Sequence, residues 1–169
     1  DRFGPVILGV REKVIYGSGY IEDVLCGKRF RISSRSFYQI NPVQTEKLYS
    51  AAIGLAGLTG NETVLDAYCG IGTIGLSASD KAKQVIGIEI NRDAVNDAIA
   101  NARLNGVKNC WFTVGDAGKY MEQMAADKVK PDIVFMDPPR AGSDERFLSS
   151  LLKCAPKRIV YISCNIDTQ

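Results

Sequence analysis

The spacing of hydrophobic positions changes near residue 60. Before it, short β-branched and aromatic runs (Val14-Ile15-Tyr16, Tyr20-Ile21-Glu22-Asp23-Val24-Leu25, Phe30-Arg31-Ile32) are separated by Gly17-Ser18-Gly19 and later polar breaks. Residues 1–40 therefore predict a β-rich segment of hairpins, evident from residue 4 onward. Asn41-Pro42-Val43-Gln44 then opens a helix, with Asn41 as the cap, Pro42 at the first helical position and Gln44 reaching back. The helix should run to Ala56 and end at Gly57.

From residue 62 strand-like and helix-like stretches alternate. Strands are expected at Thr63–Ala67, Gln84–Ile90, Cys110–Val114, Asp132–Met136 and Arg158–Ser163. Helices are expected at Asn91–Asn105, capped by Asn91 and stopped by Gly106, at Ala117–Ala126, and at Asp144–Lys153 with Ser143 as its cap. Val85-Ile86-Gly87-Ile88 and Ile133-Val134-Phe135 are apolar on both faces, as buried parallel strands are. Successive strands leave room for a crossover each time, and right-handed crossovers give an α/β, doubly wound, mostly parallel sheet. Its fourth and fifth strands should be neighbours.

Composition narrows the chemistry. With 169 residues, 46% of them hydrophobic and 24% charged, the chain has the size and balance of one globular domain. No apolar run approaches the ~18 residues of a membrane span, so no membrane partner is expected. The chain has no histidine, which excludes Ser-His and Cys-His dyads, histidine bases and histidine metal sites. Five cysteines (Cys26, Cys69, Cys110, Cys154, Cys164), odd in number and without CxxC spacing, argue against a disulfide framework or a bound metal. They fit a reducing, cytoplasmic setting. Opening at Asp1 and stopping at Gln169, the chain reads as a fragment of a longer protein.

The net charge of +2 is uneven, because the first 50 residues carry 8 Lys/Arg against 5 Asp/Glu. Within them, Lys28-Arg29-Phe30-Arg31-Ile32-Ser33-Ser34-Arg35-Ser36-Phe37-Tyr38 mixes four cations with three aromatics and no acid. Such a strip suits phosphates and stacked bases; a solvated hairpin edge has the same composition.

Ligands of a doubly wound sheet sit beyond the carboxyl ends of its strands. After the first strand comes Asp66-Ala67-Tyr68-Cys69-Gly70-Ile71-Gly72-Thr73-Ile74-Gly75, whose glycines match GxGxxG and allow tight turning and close approach. Glu89 ends the second strand, where an acid grips ribose hydroxyls, and Asp116 follows the third, where it can accept from an adenine amino group. Either acid could instead cap the next helix. Together they predict a nucleoside cofactor. A pyrophosphate would be repelled by Asp66, whereas a cationic sulfonium suits acid-rich strand ends, which favours S-adenosylmethionine. After the fourth strand comes Asp137-Pro138-Pro139-Arg140-Ala141-Gly142, and at the end of the fifth Ser163-Cys164-Asn165. A small buried strand-end cysteine is the ordinary alternative for Cys164.

With Phe37-Tyr38-Gln39-Ile40-Asn41-Pro42, the glycine loop, Val85–Glu89, the Asp137–Gly142 motif and Ile162-Ser163-Cys164-Asn165 in this order, the sequence resembles the RNA uracil-5 methyltransferases. It most resembles their bacterial 23S ribosomal RNA branch. The resemblance implies a class I Rossmann-like methyltransferase fold over residues 41–169, truncated after the fifth strand, with residues 1–40 part of a central domain. It implies S-adenosylmethionine as cofactor, RNA as partner and C5 of a uridine as methyl acceptor. Cys164 falls at the family's nucleophile, and Gln39, Tyr68, Thr73, Glu89, Asp116 and Asp137 at its cofactor contacts. On the residues' own chemistry Tyr68 can pack on the cofactor, Asp137 sits where transfer must occur, and Arg140 suits a substrate phosphate or a developing oxyanion. The family's proton-abstracting Glu lies beyond Gln169, so this stretch alone is expected not to turn over. The rival readings are an amino-methyltransferase using Asp137-Pro138-Pro139-Arg140, a non-catalytic RNA-binding module and, more distantly, a nicotinamide dehydrogenase.

Overall fold

The computed structural model describes residues 12–163. Its strands are β1 (Tyr20–Leu25), β2 (Lys28–Ser33), β3 (Thr63–Ala67), β4 (Gln84–Glu89), β5 (Cys110–Val114), β6 (Ile133–Met136) and β7 (Arg158–Tyr161). Its helices are α1 (Pro42–Ala56), α2 (Thr73–Ala78, continued by a 3-10 turn at Ser79–Lys81), α3 (Arg92–Leu104), α4 (Ala117–Ala126) and α5 (Glu145–Cys154). β1 and β2 pair antiparallel as a hairpin. The other five strands form one parallel sheet in the order β5-β4-β3-β6-β7. The doubly wound expectation holds, and the fourth and fifth strands of the alternation, β6 and β7, are neighbours.

Alternation along the strands builds two cores. Val64, Val85, Ile133, Phe135 and Val160 point to one face and pack with residues of α1, α2 and α3 and with Leu25, Phe30 and Ile32 of the hairpin. Leu65, Ala67, Ile88, Val134 and Met136 point to the other, against Met121 and Met124 of α4 and Phe147 and Leu151 of α5. Both faces of the central strands are thus covered, which is why Val85–Ile88 and Ile133–Met136 are apolar without alternation.

Helix starts follow cap chemistry. Asn41 accepts the Gln44 N–H at 3.2 Å, Pro42 opens α1, and Gly57 closes it at φ 61°. Asn91 caps α3, accepting from Asp93 N–H at 2.9 Å. At α5 the cap is Asp144, which accepts from Phe147 N–H at 2.7 Å; the expected Ser143 lies one residue too early. Among the described residues Val14–Tyr16 forms no strand, and the chain turns after it through Gly17 and Gly19 at φ 80° and 77°. Among the described residues no helix is long and apolar enough to cross a membrane.

Candidate active site

The chain runs outward from β3 through β4 to β5, then crosses back to β6 and β7. The order reverses between β3 and β6, so the crevice of such a sheet opens beyond their carboxyl ends. Asp66, buried in β3, accepts the Gly75 N–H through Oδ2 at 2.8 Å. Its Oδ1 is buried without a hydrogen-bond partner among the described residues. Burial above all, then the charges of Asp137 and Glu89, push its carboxyl up to about 7 against the pull of the Gly75 bond.

Past Ala67 the loop turns through Tyr68 at φ 63°, a left-handed conformation that bulky residues rarely adopt. The Tyr68 ring leans on Phe147 with centroids 5.6 Å apart. Burial raises the pKa of its hydroxyl, and the charges of Asp144 and Asp116 add to that. Cys69 N–H bonds to the Ile88 carbonyl at 3.0 Å, and Gly70 N–H to Glu89 Oε2 at 3.0 Å. The other Glu89 oxygen accepts Asn91 N–H at 2.8 Å. Glu89 therefore ties the glycine loop to the start of α3, and each of its oxygens keeps a second lone pair for a ligand hydroxyl.

The three glycines have distinct duties. Gly70 (φ 53°) turns the chain beside open space. Gly72 (φ 83°) turns it again where a Cβ would lie 2.9 Å from the Phe112 ring, and a Cβ on Gly75 would lie 2.8 Å from Asp66 Oδ2. The Thr73 hydroxyl shares a 3.1 Å hydrogen bond with that of Tyr49 on α1. Burial pushes Tyr49 up to about 12, with smaller additions from the charges of Asp137 and Asp66.

Asp137 is half-buried just past β6, and burial pushes it up to about 6. The Gly142 N–H bonds back to Pro139 O at 2.8 Å, a turn that carries the exposed Arg140. Among the described residues Arg140 forms no ion pair. Asp116 caps α4, accepting from Lys119 N–H at 2.8 Å. The structure thus gathers Asp66, Gly70, Gly72, Thr73, Glu89 and Asp137 around the ends of β3, β4 and β6, with Tyr68 and Asp116 toward α4 and α5. Gln39 is half-buried just before the Asn41 cap, and among the described residues no hydrogen bond joins it to the strand-end acids. Cys164 lies outside the described residues.

The basic strip is not a row of free cations. Lys28 pairs with Asp80 at 2.9 Å, Arg29 with Glu22 at 2.6 Å, and Arg31 and Arg35 with Asp97 and Asp93, each at 3.6 Å. Arg31 also lies 4.1 Å over the Tyr20 ring. Of its aromatics Phe30 is core, while Phe37 is 75% exposed. Nor is β2 a solvated edge: Asp97 and Asn101 of α3 and its C-cap Asn105 bond to its backbone. These three residues, and Tyr49, escape a reading by strand ends alone; the available signal is the four-residue spacing of Asp97, Asn101 and Asn105, which puts all three on one helix face.

The raised carboxyls fix a sign for pH dependence. Asp66 is protonated in the folded state up to about pH 7 but only to about pH 4 when unfolded. Its contribution to stability is therefore full below pH 4 and is lost as pH rises toward 7. The isosteric Asp66→Asn, which cannot ionise, should gain stability relative to the parent between pH 5 and pH 8, by up to roughly 4 kcal/mol. Thermal unfolding of both proteins checks this, and a difference constant across that range would contradict it.

A parallel sheet that switches direction beside a glycine loop, with acids at successive strand ends, defines the Rossmann-like nucleoside-binding class. Sequence comparison is more specific. Residues 7–169 match the family model described as tRNA (Uracil-5-)-methyltransferase, and the chain belongs to that family. An "uncharacterized RNA methyltransferase" of Lactiplantibacillus plantarum is 54% identical over 163 residues, 96% of this chain and 36% of its own length. One from Staphylococcus aureus is 52% identical over the whole chain and 37% of its own length. The chain thus spans just over a third of the curated relatives it matches. Among solved structures, the tRNA (uracil-54, C5)-methyltransferase of Pyrococcus abyssi, in complex with S-adenosyl-L-homocysteine, is 32% identical with a TM-score of 0.76, over 90% of this chain and 36% of that one. The fold is accordingly the Rossmann-like methyltransferase fold.

Proposed function

We propose that the protein transfers a methyl group from S-adenosylmethionine to C5 of a uridine in 23S ribosomal RNA, through a transient bond between Cys164 and C6 of the base. The observation that carries the cofactor is the closeness of Asp66, Glu89 and Asp137 at the carboxyl ends of β3, β4 and β6, where the charges of the last two act on the first, with a buried Asp66 oxygen left without a partner among the described residues. Charged Asp137 and Glu89, with Asp66 ready to ionise beside a cation, suit a sulfonium and an ammonium and disfavour a pyrophosphate. Glu89, already oriented by Gly70 and Asn91, would take the ribose hydroxyls; Tyr68 would pack on the cofactor and Asp116 would accept from its adenine. Gly70 and Gly72 would give backbone approach, with Gln39 and Thr73 completing the contacts.

When bound, S-adenosylmethionine supplies an electrophilic methyl group. Uracil C5 is too weak a nucleophile to accept it unaided. The Cys164 thiolate adds to C6, and the electrons of the C5–C6 double bond move into an enolate whose C5 is nucleophilic. Once C5 carries the methyl group, a base removes the C5 proton, the double bond reforms and Cys164 leaves as thiolate. Arg140 would meet the enolate oxygen or a phosphate, and a uridine within a helix would be flipped out of its stack to reach the site. Among the described cysteines, burial pushes the Cys26, Cys69 and Cys154 thiols up and that of Cys110 up to about 12, which disfavours their thiolates. Nucleoside mass spectrometry of 23S RNA and of tRNA, from cells with and without the full-length gene, tests the proposal. Loss of 5-methyluridine from 23S RNA alone is expected; loss from tRNA alone would move the substrate, and loss from neither would contradict the activity.

A further inference from the structure

Asp97 and Asn101 of α3 and its C-cap Asn105 stand one turn apart, rising about 6 Å per step. Alternate residues of β2 repeat every ~6.8 Å. The two repeats match closely enough for helix side chains to pair with the strand's free edge. Asn105 Oδ1 accepts the Arg29 N–H at 2.9 Å and its Nδ2 donates to the Arg29 carbonyl at 2.7 Å. Asn101 does the same with Arg31, at 2.7 and 3.1 Å. Asp97, an acceptor only, takes the Ser33 N–H at 2.9 Å and the Ser36 hydroxyl at 2.9 Å.

Asn101 differs from the other rungs. It is fully buried, and the second proton of its Nδ2 goes to the carbonyl of Ile71 at 3.2 Å. Ile71 is the residue between Gly70 and Gly72, both in left-handed conformation. The amide is satisfied in one orientation only, with Oδ1 toward Arg31 N–H and Nδ2 toward the two carbonyls. That orientation fixes the Ile71–Gly72 peptide plane at the centre of the glycine loop.

We infer that Asn101 is a positioning residue for the cofactor loop, through which the β1–β2 hairpin and α3 hold the Gly70–Gly72 backbone in its binding conformation. This rests on the glycine loop being the S-adenosylmethionine site. Losing the donor leaves the buried Ile71 carbonyl and the half-buried Arg31 carbonyl without it, and the loop must then be ordered at the expense of cofactor affinity.

Asn105 supplies the control, since it makes the same two bonds to the hairpin and none to the loop. In the full-length enzyme, Asn101→Asp keeps the acceptor and removes the donor, and should raise the KM for S-adenosylmethionine by roughly 5- to 100-fold, with kcat at saturating cofactor little changed. Asn105→Asp should leave that KM within about twofold. An unchanged KM in Asn101→Asp, or an equal rise in both variants, overturns the inference. Failure of the parent enzyme to bind S-adenosylmethionine in calorimetry would instead remove the cofactor reading beneath it. Hydrogen exchange on the parent enzyme needs no variant to fold. Coupling is reciprocal, so cofactor should slow exchange of the Arg31 amide, bonded to Asn101, more than that of Arg29, bonded to Asn105; equal slowing, or none at Arg31, overturns the inference as well.

Discussion

Full-length enzyme carrying Cys164→Ala is expected to lose at least about a thousandfold in methyl transfer while still binding its cofactor. The size follows from the chemistry. Without a bond at C6, no enolate forms and C5 keeps the feeble nucleophilicity of a neutral uracil. Glu89, Asp66 and Asp137 stay in place, so calorimetric affinity for S-adenosylmethionine should match that of the parent. The paired outcome, catalysis lost and binding retained, separates a nucleophile from a structural cysteine, whose removal would weaken both. Activity near that of the parent would end the covalent mechanism and leave the amino-methyltransferase reading in its place.

The second large effect concerns Glu89. Its two oxygens hold the N–H groups of Gly70 and Asn91 at 3.0 and 2.8 Å, and each has a lone pair left for a ribose hydroxyl. Glu89→Ala removes two charge-assisted loop contacts and two ligand contacts together, which should weaken cofactor binding by roughly 100- to 1,000-fold. Glu89→Gln should fall between, because an amide nitrogen there would face a backbone N–H donor. The loss should appear in the KM for cofactor rather than in kcat at saturation. NAD should not compete at pH 8, where its pyrophosphate would face the ionised carboxylates of Glu89 and Asp137. Unaltered affinity in Glu89→Ala, or effective competition by NAD, would remove the proposed site.

These expectations grew from strand ends, and it is physically clear why strand ends were legible. Val85–Ile88 and Ile133–Phe135 are buried on both faces, so their sequence is apolar without a helical period. Asn41, Pro42 and Gly57 mark the limits of α1 by chemistry that acts within a few residues. Such local rules also locate the glycine loop, whose positive φ angles at Gly70 and Gly72 need glycine. What depends on distant partners was not legible. Ser143 and Asp144 are both good caps, and the structure uses the second, which accepts the N–H of the core residue Phe147. The basic strip looked like a phosphate track because three of its counter-charges, Asp80, Asp93 and Asp97, lie far along the chain. Asn101 reads as a polar surface residue of a helix until β2 and Ile71 are brought against it.

Glu89 and Asn101 bear on cofactor binding; the covalent step stands or falls at one sulfur. The full-length enzyme should be incubated with S-adenosylmethionine and RNA containing 5-fluorouridine, whose C5 fluorine cannot leave as a proton does. The protein should then be digested and its RNA-linked peptide sequenced by mass spectrometry. A nucleotide-modified peptide with the added mass on Cys164, absent from Cys164→Ala, is the predicted result. An adduct on another residue, or methylated product with no adduct at any residue, would contradict the account.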